Sequence, residues 1–451
     1  MTNYDVIEAY VEDFTNWNYV KARGVATISQ HKFIITECIL KGLSIVEDIQ
    51  EPYSNLTVRI IGITDNQEVL ITDYVNGKHQ IINTITEDGI YTIEDRHHFV
   101  GFGCNFVGTC NITIEQLPTS ILKDYSGNKH DAYLYGFKGR LNSGVGIYAQ
   151  DFTKWIFGSA IHNISTKAHN KLHIVKKNPN NYFGYTIGIQ KANYYNKPYK
   201  LKFNFNKEID DINFSVVSTD GNLITTQCFS AIINNGSVVD VPIISEEIFN
   251  NQKELNIYYD FGTNKDIEID VELIPDYPNQ LCYDGKSYAV AYGLPILTDY
   301  TVIADRTWFA EKVDNGVFMS KALEQNGAFI LEYKRGDKWN TYSYYSATNI
   351  NIDKDNSIVY QTKNKYNEQT IYPGDKQDTD TLFIGTIRKD DSRSFIGCHG
   401  DILLFNRTLT DDELSVIKEV VFGISDIKDA LLTVDKKYIK LNDNNYIKLN
   451  K

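Results

Sequence analysis

One run gives the clearest structural signal in this sequence: Gly397-Cys-His-Gly-Asp-Ile-Leu-Leu-Phe-Asn-Arg-Thr-Leu-Thr-Asp-Asp-Glu-Leu414. Its apolar part, Ile402 to Phe405, predicts a short strand. Thr410 is a suitable N-cap residue, and Glu413 three positions later completes a capping box. The two aspartates between them place negative charge at the positive end of the helix dipole. The run therefore predicts a strand that is followed by a capped helix.

The predicted helix continues with apolar residues at helical spacing, at Leu414, Ile417, Val420 and Val421. Most other apolar runs in the chain alternate at a period of two residues, which is typical of strands. Aromatic residues make up 13% of the chain, and the 31 tyrosines suit the pleated surface of a sheet. We therefore predict an all-β, multi-domain fold of β-sandwiches with one capped C-terminal helix.

Three further segments accompany the closing run. Asp124-Tyr-Ser-Gly-Asn128 is a turn, Asp284-Gly285 lies within an apolar strand, and Tyr300–Trp308 is a strand that ends in an aromatic residue. Together with the closing run from Phe405 to Glu413, these segments resemble the opening turn, inner strands and final strand of laminin-G-like (concanavalin A-like) jelly-roll domains. The resemblance implies a jelly roll of two packed sheets.

The spacing of these motifs departs from that family, because Asn128 and Asp284 lie much further apart than usual. We interpret the excess as an insertion. Residues 117–145 and 279–422 then form a discontinuous jelly roll, which residues 146–278 interrupt as an inserted β-sandwich. Residues 1–116 form an N-terminal β-sandwich, and residues 423–451 form a C-terminal hairpin repeat.

Two strand ends indicate that the N-terminal and inserted sandwiches are related. The segments Asn111–Pro118 and Ile267–Pro275 both alternate, and both end with an apolar residue followed by proline. Each then leads into a segment of the jelly roll.

The tail repeats Tyr-Ile-Lys-Leu-Asn at residues 438–442 and 446–450. Such Tyr-Ile-Lys repeats resemble the C-terminal ends of virion proteins from tailed phages of gut Bacteroidetes. The resemblance implies a structural virion protein, either a fibre or a decoration protein of the capsid or tail, with a role in attachment to host glycans. It would be made in the cytoplasm of the host bacterium and located in the virion. Its partners would be copies of itself, for example in a trimer, other virion proteins and a host surface glycan.

Bulk composition excludes several other classes of protein. The formal net charge is −13 and no basic patch is visible, which argues against nucleic-acid binding. No apolar run is long enough for a membrane span, and the N-terminus lacks the pattern of a secretory signal. The six cysteines show no Cys-x-x-Cys spacing, so we expect buried thiols and no zinc site.

An enzyme would most readily use Glu268, Asp270 and Glu272, which alternate along one predicted strand and therefore share a face. This pattern resembles a family of retaining β-glucanases, which implies Glu268 as nucleophile and Glu272 as acid/base. The run lies in the inserted sandwich, however, and it lacks the aromatic-proline lead-in of that family. We therefore expect no enzymatic activity. A retaining glycanase and a glycan-binding module of a bacterial protein stand as the alternative functions.

Binding could involve the aromatic run with Trp339, Tyr342 and Tyr344, because aromatic rings stack on sugar faces. Alternation places Tyr342 and Tyr344 on one face of the strand and Trp339 on the other. The alternative interpretation is that these rings fill a sandwich core.

We expect no cofactor. Calcium is the one metal that the sequence suggests, at two groups of oxygen ligands for which solvated turns are the preferred interpretation: Asp353, Asp355 and Asn356, and Asp375, Asp378 and Asp380.

Overall fold

A computed structural model of the chain shows a fold built almost entirely of strands. It describes residues 10, 12–46, 55–75, 78–94, 100–137, 156–157, 162–168, 171–176, 187–190, 199–206, 212–219, 225–242, 256–260, 268–274, 277, 280–309, 315–323, 325–389, 393–423, 438–442 and 445–448. Within these residues the strands form seven sheets, and every strand pairing is antiparallel. The predicted all-β class with one capped helix is confirmed.

The first ten strands form two five-stranded sheets. Strands β1 to β10 span Asn18–Tyr19, Gly24–Ser29, Lys32–Cys38, Gly42–Val46, Leu56–Ile61, Val69–Val75, Lys78–Ile85, Gly89–Ile93, Gly101–Cys104 and Gly108–Gln116. Two short 3₁₀ helices, Phe14–Asn16 and Lys21–Arg23, accompany them. The strand orders are β1-β4-β9-β6-β7 and β2-β3-β10-β5-β8. Alternate residues fill the core between the sheets: along β5, Leu56, Val58 and Ile60 are fully buried.

A disulfide between Cys38 of β3 and Cys104 of β9 joins these two sheets within their shared core. It corrects the expectation that all six cysteines are thiols. The two residues are 66 positions apart, and only the packing of one sheet on the other brings them together. Cys110, Cys228, Cys282 and Cys398 do not take part in a disulfide bond.

Two short strands follow, β11 (Ile121–Leu122) and β12 (Ala132–Tyr135). The predicted Asp-Tyr-Ser-Gly-Asn turn connects them. The Asp124 carboxylate organises this turn by accepting hydrogen bonds from the backbone N–H groups of Ser126 (2.8 Å) and His130 (2.9 Å). Gly127 supplies a left-handed backbone at φ 89°.

The next ten strands form a second pair of five-stranded sheets. Strands β13 to β22 span Ile156–Phe157, His162–Ala168, Lys171–Lys176, Ile187–Gln190, Tyr199–Phe205, Ile212–Thr219, Thr225–Ile233, Val238–Val241, Asn256–Asp260 and Glu268–Ile274. Their orders are β13-β16-β21-β18-β19 and β14-β15-β22-β17-β20. Each strand thus occupies the same place in its sheet as the strand of the first pair whose number is lower by twelve. For example, β13 corresponds to β1. This repeat agrees with the relation that the two similar strand ends predict, since β10 and β22 are equivalent.

The remaining strands build two large sheets around one core. Strands β23 to β34 span Leu281–Asp284, Tyr288–Ala291, Thr301–Trp308, Asn315–Leu323, Asn326–Arg335, Lys338–Ser343, Ser346–Ile350, Ile358–Thr362, Lys365–Tyr366, Gln369–Thr370, Leu382–Ile384 and Ile396–Phe405. The orders are β11-β12-β24-β33-β26-β27-β28-β29 and β23-β34-β25-β30-β31-β32. These two sheets fit a jelly-roll-like domain.

The eight-stranded sheet contains strands that come before the second pair of sheets in the chain and strands that come after it. Strand β12 pairs with β24, so that Ala132 lies opposite Ala291 and Tyr135 opposite Tyr288. Leu134 of β12 and Tyr283 of β23 are buried in the same core. The segments before and after residues 146–278 therefore share one core, as the insertion hypothesis requires. The exact domain boundaries stay a prediction.

The closing helix α1 spans Asp411–Phe422 and has the predicted capping box between Thr410 and Glu413. It ends at Gly423, whose left-handed backbone (φ 69°) suits a C-cap. Leu414 and Ile417 of the helix pack against Ile303 and neighbouring apolar residues on the outer face of the six-stranded sheet. The tail strands β35 (Tyr438–Asn442) and β36 (Asn445–Lys448) pair with each other. Within the described part of the chain, no helix has the length and apolar character of a membrane span.

Candidate functional site

The three carboxylates proposed for catalysis do share one face of a strand. In β22 the residues between them, Ile269 and Val271, point into the core, which leaves Glu268, Asp270 and Glu272 on the outer face. The neighbouring strand β15 supplies a histidine and a lysine to this face.

These two side chains contact the carboxylates across the two strands. The His173 Nδ1 atom lies 2.7 Å from Asp270 Oδ1, and its Nε2 atom lies 3.9 Å from Glu268 Oε2. The Lys171 ammonium lies 3.4 Å from Glu272. Lys171 lies directly opposite Glu272 in the antiparallel pair, and opposite charges at such positions stabilise the sheet, so this contact gives Glu272 a structural role on an open surface.

The aromatic run divides between two faces of the eight-stranded sheet, but not as alternation predicts. Trp339 packs edge-to-face on Trp308, with ring centroids 5.0 Å apart, beside the main core. Tyr342 packs on Tyr333 at 6.0 Å on the opposite face. Tyr344 is buried in the main core against Tyr300.

The expectation that Tyr342 and Tyr344 share a face is therefore wrong. Strand β28 ends at Ser343, and Tyr344 and Tyr345 form the two-residue turn into β29. Both have a left-handed backbone, with φ 44° and 65°, so the alternation of a strand does not continue through them.

The oxygen ligands in the first proposed calcium loop have partners within the protein. Asp353 Oδ1 accepts a hydrogen bond from the Asp355 N–H (3.0 Å), and Asn356 Oδ1 accepts one from the Ile358 N–H (3.0 Å). The carbonyl oxygen of Asn356 accepts from the Arg306 guanidinium at 2.7 Å. The loop is thus a hydrogen-bonded turn that supports Arg306. Calcium binding by it stays a prediction.

In the second proposed calcium group, Asp378 has a partner within the protein, and calcium binding by this group stays a prediction. Asp378 is buried, and its carboxylate pairs with the buried ammonium of Lys321. The same carboxylate accepts hydrogen bonds from the N–H groups of Leu297 and Ala328, both at 2.8 Å. Burial lowers the pKa of Lys321, and Asp378 opposes that effect. Asp378 is therefore a structural ion-pair residue. Among the described residues, no group of three His, Cys, Asp or Glu side chains is arranged to hold a metal ion.

The strongest polar cluster in the core was not predicted from the sequence. Arg306 Nε and Nη2 donate to the two carboxylate oxygens of Glu332, at 2.8 and 2.6 Å. Trp308 Nε1 (2.8 Å) and the Tyr366 hydroxyl (2.6 Å) also donate to Glu332. Arg306 belongs to β25 and Glu332 to β27, so the cluster joins the two sheets of the jelly roll. The cluster is buried away from solvent, and we therefore assign it a structural role.

A cavity of about 610 Å³ opens on the other face of the eight-stranded sheet. Its size lies within the usual range for small-molecule sites. Its lining is Ala322, Gln325, Asn326, Tyr345, Ile387, Arg388 and Arg393. Ala322 and Ile387 belong to a small apolar cluster with Ile330, which points away from the main core. We call this feature the arginine-lined cavity.

A row of tyrosine rings leads to this cavity along the sheet. Tyr333 and Tyr342 are 6.0 Å apart, and Tyr342 and Tyr345 are also 6.0 Å apart, measured between ring centroids. The turn before Tyr345 is fixed by Tyr344, whose hydroxyl donates to the Leu297 carbonyl at 3.1 Å. The left-handed backbone of two consecutive tyrosines is unfavourable on its own, so the core contacts of Tyr344 maintain it.

The same turn is held from outside by Gly374. Its N–H donates to the Ser343 carbonyl at 2.9 Å. A Cβ atom at this position would lie 2.4 Å from the Tyr344 carbonyl oxygen, so only glycine fits there. Tyr345 is thus presented to the arginine-lined cavity by a rigid support.

The lining combines an aromatic ring, two side-chain amides and two guanidinium groups over an apolar floor. Such a site suits a ligand that has both polar groups and an apolar face, as a sugar does. Among the described lining residues there is no carboxylate, thiol or imidazole. Sequence analysis missed the site because its residues come from three loops, although Tyr342 lies beside it.

Comparisons with known proteins give little further information. No protein-family model matches the chain, and no curated protein matches it. A structure of Trypanosoma rangeli sialidase in complex with 2,3-difluorosialic acid is 11% identical, covers 89% of this chain and 84% of that chain, and has a TM-score of 0.24. A mutant of that sialidase displaying trans-sialidase activity is 10% identical, covers 88% and 83%, and has a TM-score of 0.22. Similarity at this level carries no argument about fold or function.

Proposed function

We propose that this chain is a structural protein of a phage virion, a fibre or a decoration protein, that attaches to a host glycan through its jelly-roll-like domain. The observation that carries the attachment role is the arginine-lined cavity. Tyr345 offers a ring face for stacking, while Gln325 and Asn326 offer amide donors and acceptors for sugar hydroxyls.

The structural role is supported by the architecture and by the tail. Two sandwiches of the same strand order flank the first jelly-roll segment, which suits a modular, elongated surface protein. The Tyr-Ile-Lys hairpin is the sequence feature that suggests a virion. An isolated hairpin is marginally stable in water, so we expect it to pack on another subunit of a homo-oligomer.

A glycan array probed with the full chain tests the attachment role. We expect Tyr345→Asn to weaken binding by about tenfold or more, since full burial of a large apolar side chain contributes about 1.5–3 kcal/mol. Asparagine tolerates a left-handed backbone, so the turn should be retained. Tyr125→Asn is the matched control, because Tyr125 is 87% exposed in the Asp124 turn, outside the cavity. Absence of binding to every glycan, or equal binding by Tyr345→Asn, would contradict the proposal.

The assembly role has its own test. Light scattering of the purified chain at micromolar concentration should show a homo-oligomer, and a monomer would count against a fibre or decoration role. Antibody labelling of virions, viewed by negative-stain electron microscopy, should then locate the chain on the particle.

A retaining glycanase is the second candidate, because Glu268, Asp270 and Glu272 do lie on one face. Product analysis after incubation with the glycans bound on the array separates binding from cleavage. We expect no new reducing ends from the unmodified chain. Cleavage that is lost in Glu268→Gln would establish the glycanase instead.

A further inference from the structure

We propose that Cys282 and Cys398 are a redox pair that forms a second disulfide bond when the chain folds under oxidising conditions. The inference concerns the jelly-roll-like domain and is independent of the glycan site. Both thiols are fully buried. Cys110 and Cys228, in contrast, pack against the cores of the first and second pairs of sheets.

The register of the six-stranded sheet places the two residues directly opposite each other. Strand β23 pairs antiparallel with β34, and Cys282 is the partner of Cys398. Opposite residues of an antiparallel pair have Cα atoms about 4.5 or 5.5 Å apart. Both separations lie within the range of roughly 4.4–6.8 Å that a disulfide bond spans. The bond can therefore form without a change in the pairing of these strands.

The neighbouring side chains show that both thiols point to the same face of this sheet. Tyr283 and His399, which follow the two cysteines along their strands, point towards the main core. There the Tyr283 hydroxyl donates to His399 Nε2 at 2.8 Å. Since successive residues of a strand point to opposite faces, Cys282 and Cys398 share the outer face. The Cys398 thiol donates to the side-chain oxygen of Gln280 at 2.6 Å, which holds it in place in its reduced form.

The buried position determines when the bond can form. Burial, followed by a hydrogen bond with Cys282, raises the pKa of the Cys398 thiol. The thiolate is the reactive form of cysteine, so the pair in the folded chain reacts slowly with an oxidant. Strand β23 lies at the edge of its sheet and pairs only with β34 among the described strands. The bond should therefore form during folding, or when this edge strand detaches locally.

A small-molecule disulfide such as oxidised glutathione is a sufficient oxidant. The thiolate of one cysteine attacks a sulfur of the oxidant, which forms a mixed disulfide and releases one glutathione thiolate. The thiolate of the other cysteine then attacks the cysteine sulfur of the mixed disulfide and releases the second glutathione. The two cysteine protons end on the released glutathiones, and two electrons pass from the cysteine sulfurs to the glutathione sulfurs.

The bond would connect the two ends of the six-stranded sheet in chain order. Strand β23 is the first strand of this sheet along the chain, and β34, which leads into the closing helix, is the last. A covalent link between distant residues restricts the unfolded chain, and the effect grows with the length of the loop that is closed. The second disulfide should therefore stabilise the jelly-roll-like domain.

Peptide mapping of the unmodified full chain tests the proposal without any substitution. The chain is unfolded and reduced, and is then refolded at increasing ratios of oxidised to reduced glutathione. After alkylation of free thiols and digestion, mass spectrometry without a reductant should show a linked peptide that contains Cys282 and Cys398. The proposal would be overturned if both cysteines are alkylated at every ratio, or if they are linked to other cysteines.

Thermal unfolding measures the consequence for stability. The unfolding temperature should be higher in the oxidising than in the reducing buffer, and this shift should be smaller by about 5 °C or more in Cys282→Ala. The bond between Cys38 and Cys104 contributes to both shifts and cancels in the comparison. Cys110→Ala is the matched control, because its thiol donates to the Ile35 carbonyl (3.3 Å) in the first sandwich, and it should keep the full shift. Equal shifts in Cys282→Ala and the unmodified chain would contradict the proposal.

Discussion

Buried charges in the jelly roll occur as pairs that connect separate strands. Arg306 and Glu332 are 3% and 0% exposed, and Lys321 and Asp378 are fully buried. A bulge in β27 gives Glu332 a left-handed backbone (φ 52°), which is typical of sites where a side chain is redirected. Its carboxylate then accepts hydrogen bonds from three side chains of the other sheet. Such pairs are costly to break because each partner would stay buried with its charge.

We expect Glu332→Gln to lower the free energy of unfolding by about 3–5 kcal/mol, because the Arg306 guanidinium would lose its counter-ion inside the core. Urea unfolding followed by fluorescence measures the change. Asp240→Asn is the matched control, since it removes an exposed carboxylate that lies 3.6 Å from Lys200. The control should change stability by less than about 1 kcal/mol. Similar losses in the two variants would contradict a structural role for the buried pair.

A second prediction at this scale concerns the buried imidazole of His399. Its Nδ1–H donates to the Gly400 carbonyl (2.7 Å), and its Nε2 accepts from the Tyr283 hydroxyl (2.8 Å). Burial lowers the pKa of His399 to about 4, from an ordinary value of 6.5. Between these two pH values the unfolded chain binds a proton that the folded chain does not. Stability should therefore fall as the pH is lowered through this window.

We expect the His399 contribution to this loss to be at most about 3 kcal/mol between pH 7 and pH 4. His399→Gln has no proton to bind in this range, so its unfolding free energy should fall by less than that of the unmodified chain. Urea unfolding of both proteins at the two pH values measures the difference. An identical pH dependence in the two proteins would show that His399 is not buried in its neutral form.

At the scale of the element, the closing helix is stabilised by an ion pair at its first turn. Arg407 Nη1 and Nη2 donate to the two carboxylate oxygens of Glu413, at 2.9 and 2.7 Å. Glu413 also accepts from the Thr410 N–H at 2.9 Å, which completes the capping box. The hydrogen bonds from Arg407 and then Thr410 lower the pKa of Glu413 to about 2, from an ordinary value of 4.5.

We expect Glu413→Gln to destabilise the protein at pH 7 and to lose this effect as the pH falls from 4.5 towards 2. The reason is that a carboxylate with a lowered folded-state pKa stabilises above its unfolded-state pKa, and protonation removes the contribution. Urea unfolding at pH 7 and pH 2.5 measures it. Glu419→Gln, in the last turn of the same helix, should change stability little at either pH. A loss in Glu413→Gln that stays constant with pH would contradict the ion pair.

This helix shows which features could be predicted from the sequence. A capping box is formed by residues three positions apart, so Thr410 and Glu413 are sufficient to indicate it. Alternation likewise predicts strands such as β5 and β22, because each side chain's face depends only on its place in the strand. The equivalence of β10 and β22 could also be predicted, since both end in the same local pattern.

The features that could not be predicted depend on residues far apart in the chain. Tyr344 was placed on the wrong face because the turn after Ser343 is set by core contacts with Leu297 and Tyr300. The ion pair of Asp378 could not be predicted because its partner Lys321 is 57 positions away. The arginine-lined cavity likewise joins three loops that no local pattern connects.

At the scale of the whole molecule, the first sandwich packs directly on the eight-stranded sheet. The Arg59 guanidinium lies 4.2 Å from the centre of the Tyr292 ring. Leu117, at the end of the first sandwich, shares an apolar cluster with Tyr135 and Val290 of that sheet. The first sandwich and the eight-stranded sheet are therefore held in one arrangement.

We propose that residues 146–278 are a separately folding insertion, and we expect the chain to tolerate their replacement by a short glycine-serine linker. Neither jelly-roll sheet takes a described strand from that range, so both should form without it. Differential scanning calorimetry should show that the shortened chain loses part of the unfolding enthalpy of the full chain and still unfolds cooperatively. Size-exclusion chromatography should show a single, unaggregated species.

A deletion of residues 117–278 provides the matched control, because it also removes β11 and β12. Strand β24 would then lose its four residue pairs with β12 and become an edge strand. The core would lose the buried side chain of Leu134, and a buried leucine reduced to alanine already costs about 2–5 kcal/mol. We therefore expect this second protein to aggregate or to unfold at a much lower temperature. If both shortened proteins fold equally well, β12 is not part of the jelly roll. If neither protein folds, residues 146–278 are not an independent insertion.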